Sequence, residues 1–457
     1  MKKVLIVAPQ AYPPKRGPGG LRALGFSRHL AEFGWEPTVL VLDDRFLGSS
    51  CDPSLRDRIP KHVNVVKVFS PEHFLSAAIH QTMQFVRRSN KSGATEASQS
   101  ASPSEKSTHR NALSMFARRV AKNFFGDDFY PGWMTATVLA GIPIARESDC
   151  IYSTSPPFGS HIVAKWISRL TRVPWVADFR DPYAAGAYHL RTKGANDAAG
   201  EARAIRRERG VLAAADAVIT VTDAMDEIYK SHYPEIPAAK LHVITNGYDE
   251  DIELRTIESS LDESPKPGST KLRIVHAGLI YNVNVLASLC EAINILIREK
   301  KATKADFEIE LIGNCPSEHH AVFKEQTLSE CLVAPGIVPQ KEAFRRMCLA
   351  DALLIEAGAT IAHYAIRAKI FEYMLARRPV LGILEEGPMA KLIRDTRIGY
   401  CVPASEPKKI AEILERLVVA KKSGTLAELI ADAEFAKYNR RLLTQDLSRI
   451  FDSIVRK

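Results

Sequence analysis

Short apolar runs, each four to seven residues long, recur along the chain between longer segments of mixed character. They fall at 4–8, 38–42, 63–69, 150–153, 175–179, 217–221 and 241–245, and again at 272–277, 307–313, 333–338, 352–355, 380–384 and 399–402. Runs of this length without polar alternation suit strands covered on both faces, as in a parallel sheet. Helical spacing lies between several of them. From 21 to 33 the chain reads L-R-A-L-G-F-S-R-H-L-A-E-F, and Gly34 offers a helix stop. Strand, loop and helix repeated in this order predict an α/β chain of doubly wound, Rossmann-like domains.

Two stretches interrupt the rhythm. Residues 89–110 are rich in Ser, Ala, Lys and Glu with almost no large apolar side chain, the composition of a disordered insert. Residues 256–270 are polar and rich in Pro and Ser, which is linker chemistry. The expected organisation is a first domain over 1–255, the linker over 256–270 and a second domain over 271–424. A helical C-terminal segment, 425–457, is expected to pack back on the first domain. Two such domains would leave a cleft lined by the carboxyl ends of both sheets, the edge at which doubly wound sheets bind ligands.

The 457 residues, 46% hydrophobic and 25% charged, fit a globular protein and exclude a disordered, collagen-like or coiled-coil chain. Lys and Arg number 62 against 53 Asp and Glu, a net charge of +9 that suits an anionic partner. Spread over this length it is a weak nucleic-acid footprint, and no nucleic-acid partner is expected. The seven cysteines are odd in number and include no Cys-x-x-Cys, so free thiols in a reducing compartment are expected. Five apolar residues before Pro9 fall short of a signal peptide, and no run approaches a spanning helix. The expected location is the cytoplasm, free or peripheral on the inner face of a membrane.

The candidate chemistry lies just after the strands. The first is followed by Pro13-Pro14-Lys15-Arg16-Gly17-Pro18-Gly19-Gly20 and a helix, where glycine main chain and a helix N-terminus can receive an anion. The fifth runs into Asp178-Phe179-Arg180-Asp181-Pro182-Tyr183, two carboxylates bracketing an arginine, which bare burial would make costly. In the second half, His276-Ala277-Gly278-Leu279-Ile280-Tyr281 is a strand-to-turn passage. Lys369 and Glu372 are three apart and share a helix face. Lys near a helix N-terminus suits a diphosphate, and Glu accepting from two adjacent hydroxyls suits a ribose.

Tyr152-Ser-Thr-Ser-Pro-Pro157, Pro174-Trp-Val-Ala-Asp-Phe-Arg-Asp-Pro-Tyr183, Val243-Ile-Thr-Asn-Gly-Tyr-Asp249, Val275-His-Ala-Gly278, Gly336-Ile-Val338 and the segment 369–380 stand in an order that resembles the retaining nucleotide-sugar glycosyltransferases of family 4, with the GT-B fold. The likeness is strongest to the branch with the PWVADFRDP segment. The resemblance implies transfer of a sugar from a nucleotide-sugar donor to a glycan or lipid-linked acceptor, in cell-envelope or exopolysaccharide assembly. It implies that Gly19 and Gly20 form a loop over the sugar and diphosphate, and that Gly278 opens the phosphate loop, with Tyr281 beside the donor. Val338 would contact the base, Glu372 the ribose and Lys369 the phosphates. Arg180, Asp181 and Lys369 would be the working charged set. No cofactor is implied, and no metal. The chain departs from the family at Tyr364, where a glutamate is usual, and at Asn282-Val283-Asn284, where close kin often carry an arginine. Tyr364, together with Arg180-Asp181 where many relatives carry His-Asp, motivates an alternative: a weak or inactive GT-B protein that binds nucleotide-sugar as a regulatory partner. Segments 73–88 and 111–125 mix basic and apolar residues, which suits peripheral membrane contact.

Overall fold

All thirteen apolar runs form strands: β1 (Lys2–Val7), β2 (Trp35–Leu42), β3 (Asn64–Val68), β4 (Cys150–Ser155), β5 (Trp175–Phe179), β6 (Ala217–Thr220) and β7 (Leu241–Val243), then β8 (Leu272–Ala277), β9 (Phe307–Ile312), β10 (Leu332–Gly336), β11 (Ala352–Glu356), β12 (Val380–Ile383) and β13 (Gly399–Val402). The computed structural model describes residues 1–9, 12–14, 18–46, 51, 53–69, 131–186, 198–249, 271–357 and 362–455. The expected insert at 89–110, the linker at 256–270 and the segments 73–88 and 111–125 lie outside the described residues.

The strands make two sheets, ordered β3-β2-β1-β4-β5-β6-β7 and β10-β9-β8-β11-β12-β13. Pairing is parallel from β1 to β6 and throughout the second sheet. The second order is that of a doubly wound sheet, in which the chain starts in the middle, runs to one edge and returns to build the other. Helices cover the strands. Those described are α1 (Pro18–His29), α2 (Pro131–Arg146), α3 (Gly159–Thr171), α4 (Ala198–Ala214), α5 (Asp223–His232), α6 (Val283–Arg298), α7 (Ser317–Glu325), α8 (Gln340–Cys348), α9 (Lys369–Ala376), α10 (Pro388–Thr396), α11 (Pro407–Ser423) and α12 (Arg440–Ile454). The expected helix at 21–33 begins earlier, at Pro18, and its last turn tightens to a 3-10 helix before Gly34 ends it at φ +83°. Among the described residues no helix is long and apolar enough to cross a membrane.

The lack of alternation in the strands follows from burial on both faces. Leu272 and Ile274 enter one core cluster of the second sheet, while Val275 and Ala277 enter the other; Leu354 and Leu353 divide the same way. In the first sheet Val4, Leu5, Ile6 and Val7 are all fully buried.

The chain forms two units, one of Met1–Thr220, Ile228–His242 and Thr444–Lys457, the other of Val221–Glu227 and Val243–Leu443. The short piece at 221–227 goes with the second unit, where the Thr222 hydroxyl donates to the Tyr364 carbonyl at 2.6 Å. The C-terminal segment is divided rather than passing whole to the first unit. Arg440 donates its main-chain N–H to the Tyr248 carbonyl at 2.8 Å, which keeps 425–443 with the second. Further along α12, Phe451 packs edge-on against Trp35 with ring centres 5.1 Å apart, and Lys2 pairs with Asp452 at 2.7 Å, which holds 444–457 on the first.

Candidate functional site

The carboxyl edge of the first sheet is built around Asp178 on β5. Its side chain is fully buried and both of its oxygens accept hydrogen bonds. Arg22 of α1 donates Nε to Oδ2 and Nη2 to Oδ1, both at 2.8 Å, a two-pronged guanidinium–carboxylate pair. Tyr152 and Thr154 of β4 add their hydroxyls to Oδ2 at 2.6 and 2.9 Å. Burial alone would push this carboxyl up; the charge and hydrogen bonds of Arg22, with Tyr152 and Thr154, overcome it and hold Asp178 below the usual carboxylate range.

Arg180 and Asp181 follow immediately. Arg180 turns back on its own unit, donating Nε to the Ser155 carbonyl and Nη2 to the Pro156 carbonyl, each at 2.8 Å. Burial lowers its proton affinity. Beyond Pro182, the next three residues are held by Glu208 of α4. Its buried carboxylate accepts the main-chain N–H groups of Tyr183, Ala184 and Ala185 at 2.6, 3.1 and 2.8 Å, and the hydroxyls of Tyr229 and Tyr233 at 2.9 and 2.7 Å. Three consecutive amides around one anion are an anion nest, here filled by the protein's own carboxylate. Beneath the loop, Trp175 donates to the Ser153 hydroxyl, which shares a further hydrogen bond with Nδ1 of His161, both at 2.8 Å. Burial pushes His161 down to about 3, so the ring is neutral.

The second edge is built on β8, β11 and α9. Gly278, at φ +132°, leaves β8 with its N–H on the Ile312 carbonyl at 2.8 Å. Gly313 leaves β9 at φ +127°, and a Cβ placed there would stand 2.7 Å from the Gly278 carbonyl oxygen. Only glycine fits that approach. Beside it His276 donates Nδ1 to the Leu354 carbonyl at 3.0 Å, and burial pushes the ring down to about 4. Tyr373 of α9 ties the three elements, accepting from the Ala277 N–H at 3.1 Å and donating to the Leu354 carbonyl at 3.0 Å. That fixes the first turn of α9, where Lys369 and Glu372 pair at 2.7 Å, both partly exposed.

The residues singled out in the sequence thus fall into two groups. Gly278, Tyr281, Lys369 and Glu372 collect at the second unit's strand edge. Val338 follows β10, partly buried beside exposed Ile337, and packs on the core. Arg180 and Asp181 belong to the first unit. Gly19 and Gly20 correct an expectation: they lie in the first turn of α1 rather than in a loop, with Gly20 close against the Tyr12 main chain. The Asn282 position, where an arginine was looked for, is instead the N-cap of α6, its side chain accepting the Asn284 N–H at 3.1 Å. Tyr364 is buried. Sequence reasoning passed over Arg22, Glu208, Glu356 and Arg367. Glu356 carried a readable signal, a carboxylate directly ending an apolar strand run; Arg22 and Glu208 face partners far away in sequence.

The same two-sheet architecture occurs in solved structures. HepE of Anabaena, in complex with UDP and glucose, superposes with a TM-score of 0.62 at 14% identity, over 99% of this chain and 100% of that one. Sucrose-phosphate synthase of Thermosynechococcus elongatus gives 0.58 at 11% identity, over 99% of each chain. WaaG, a glycosyltransferase involved in lipopolysaccharide biosynthesis, gives 0.52 at 13% identity, over 98% of this chain and 99% of that one. Among curated proteins none matches the chain in sequence. At such identities these structures establish the GT-B fold and no more. The profile of the glycosyl transferase 4-like domain reaches further, matching residues 17–247, just over half of the chain and nearly all the described first-unit chemistry. On that match the chain belongs to the glycosyl transferase 4-like family.

Proposed function

We propose that the chain is a retaining glycosyltransferase that moves a sugar from a nucleotide-sugar donor to a glycan or lipid-linked acceptor, in the assembly of a cell-envelope or extracellular polysaccharide. The observation that carries this reading is the second unit's strand edge: glycine main chain at Gly278, with Lys369 and Glu372 in the first turn of a helix pinned to the sheet by Tyr373. The known complex of HepE, a protein of the same fold, with UDP and glucose supports it.

The chemistry asks for such an arrangement. As the bond from the anomeric carbon to the leaving oxygen breaks, the sugar gains oxocarbenium character and negative charge grows on the diphosphate. Lys369 and the positive end of α9 meet that charge. Glu372 accepts from the ribose hydroxyls, exchanging part of its pairing with Lys369 for them. In a retaining transfer without a protein nucleophile, the acceptor hydroxyl attacks on the face the phosphate leaves. Its proton passes to the departing phosphate oxygen, so the step balances without a further reactant. Within the first unit, Arg180 is a positioning residue that locks the β4 and β5 exits together. Asp181, partly exposed, is its candidate for meeting an acceptor.

The test is a thermal-shift panel of UDP-, GDP- and ADP-sugars, since a ligand bound only by the folded state raises Tm. One class of nucleotide-sugar should raise it, and radiolabelled transfer to lipid-linked glycan should follow with retained anomeric configuration. A shift without transfer or hydrolysis assigns the chain to binding without turnover. No shift with any of them overturns the donor reading.

A further inference from the structure

Beside Gly278 lies a group of charges that the donor reading does not use. Glu356 is the last residue of β11, and its side chain is fully buried. Its Oε1 accepts the Tyr281 main-chain N–H at 3.2 Å and stands 3.1 Å from Nη2 of Arg367 as an ion pair. Its Oε2 is buried with no hydrogen-bond partner, and so is Nε of Arg367. On the neighbouring strand Nε2 of His276 is buried without a partner as well. The Arg367 guanidinium lies 4.3 Å from the centre of the Tyr281 ring, which is 65% exposed, while the Arg367 side chain is 18% exposed. A planar cation is therefore stacked on an open aromatic ring and held from beneath by a carboxylate that is only half satisfied. Native proteins rarely leave buried polar atoms unpaired, and such atoms collect where something else binds or moves.

We infer that Arg367 receives the donor's diphosphate and that Glu356, behind it, takes up a proton when the diphosphate binds. This deepens the donor reading and rests on it. Arg367 would supply the cation that the Asn282-Val283-Asn284 loop lacks. The argument is electrostatic. Arg367 carries five N–H groups, and it meets Glu356 as an ion pair rather than by committing one of them to a hydrogen bond. A diphosphate on its outer edge brings two negative charges to within a few ångströms of a buried carboxylate, where screening is weak. One arginine then faces two anions, and the anion that can neutralise is Glu356. Burial already pushes its carboxyl up, and Arg367 and the Tyr281 N–H oppose this only in part. Nothing donates to Oε2, so no hydrogen bond resists its protonation.

The other charges around Glu356 do not take this role. His276, on β8, is neutral down to about 4. Lys369 is paired with Glu372 on α9. From β12, Glu356 stands in register with Ile383; the nearest acids, Glu385 and Glu386, lie beyond the strand, and Glu386 is held by Arg394 at 2.7 Å.

The experiment is titration calorimetry with UDP-glucose, with GDP- and ADP-glucose in parallel, in buffers of differing ionisation enthalpy between about pH 5.5 and 8. The diphosphate of a nucleotide-sugar does not itself titrate there. The wild type should take up as much as one proton per donor, and affinity should fall with rising pH by at most about tenfold per pH unit. Glu356→Gln, of the same shape, should bind with no proton uptake and a flat pH profile. Arg367→Gln should bind about 30-fold more weakly or worse, and with Arg367 gone burial raises the Glu356 carboxyl further, so uptake should shrink or vanish there too. This second variant keeps the test open if Glu356→Gln fails to fold. Donor binding with unchanged uptake in both variants, or with no uptake in the wild type, overturns the inference and leaves the donor reading standing. Failure of every nucleotide-sugar to bind folded wild type ends both.

Discussion

The two sheets each carry a buried carboxylate near the carboxyl end of a central strand, each paired with an arginine, Arg22 inside α1 and Arg367 just before α9, and the two are wired differently. Asp178 uses both oxygens: two prongs of Arg22 and two hydroxyls. Glu356 uses one oxygen and leaves the other bare. The same kind of pair is thus architecture in one place and poised in the other. A fully satisfied buried charge resists change because any change strands a partner; a half-satisfied one has a second state within reach.

Breaking the wired pair should have the largest effect. Asp178→Ala leaves Arg22 buried without a counter-ion and should cost about 3–5 kcal/mol, read by denaturant unfolding. Glu356→Gln should change stability by less than about 1.5 kcal/mol, because it removes one pairing and eases a burial cost. Equal losses would erase the distinction. Next comes Glu208→Ala, which strips three amides and two tyrosine hydroxyls of their acceptor and should cost about 3 kcal/mol; limited proteolysis should show faster cutting near 183–186.

Acidity sharpens the contrast, because the two carboxylates carry opposite signs. Asp178 is held low in the folded chain, so its contribution is complete above the unfolded value of about 4 and is lost as pH falls below it. His161, pushed down to about 3, acts in the same direction: the folded chain keeps it neutral, and stability drains as pH drops below about 6.5. Glu356 is held high, so the folded chain binds its proton more tightly and stability falls as pH rises from about 4.3 through its folded value. Melts of wild type and Glu356→Gln across this range should differ in slope on the upper side only. An identical slope would remove Glu356 from the account.

The smallest effects belong to exposed pairs. Lys369→Ala should cost under about 1 kcal/mol of stability while weakening nucleotide-sugar binding at least tenfold, read by thermal melts and calorimetry. Glu235→Ala, which releases Arg209 at 2.8 Å on the surface, should change stability by no more than about 0.5 kcal/mol and leave binding untouched.

What could be read in advance followed from local causes. All thirteen strands were legible because double-sided burial leaves an uninterrupted apolar run, and Gly34 marked a helix end because φ +83° is costly for other residues. The first turn of α1 was misjudged: Pro18-Gly-Gly looks like loop chemistry, yet proline is welcome at the start of a helix and the two glycines continue it, Gly20 beside the Tyr12 main chain. The Lys369–Glu372 pair was visible because three residues bring two side chains onto one face. Arg22 with Asp178, and Glu208 with its nest, were not visible, because their partners lie 156 and 23 to 25 residues away and no short-range pattern joins them. Arg180 stood out for its place beside two acids; its actual partners are main-chain carbonyls, which no side-chain motif announces.

The pinch between Gly278 and Gly313 has a consequence for anyone scanning this chain by mutagenesis. A methyl group at Gly313 would press on the Gly278 carbonyl from 2.7 Å, displacing the glycine that borders the Arg367 cluster. Gly313→Ala should therefore score as a loss of ligand affinity although position 313 belongs to a neighbouring strand exit, and a map drawn from such scores would place the recognition surface one strand too far toward β9.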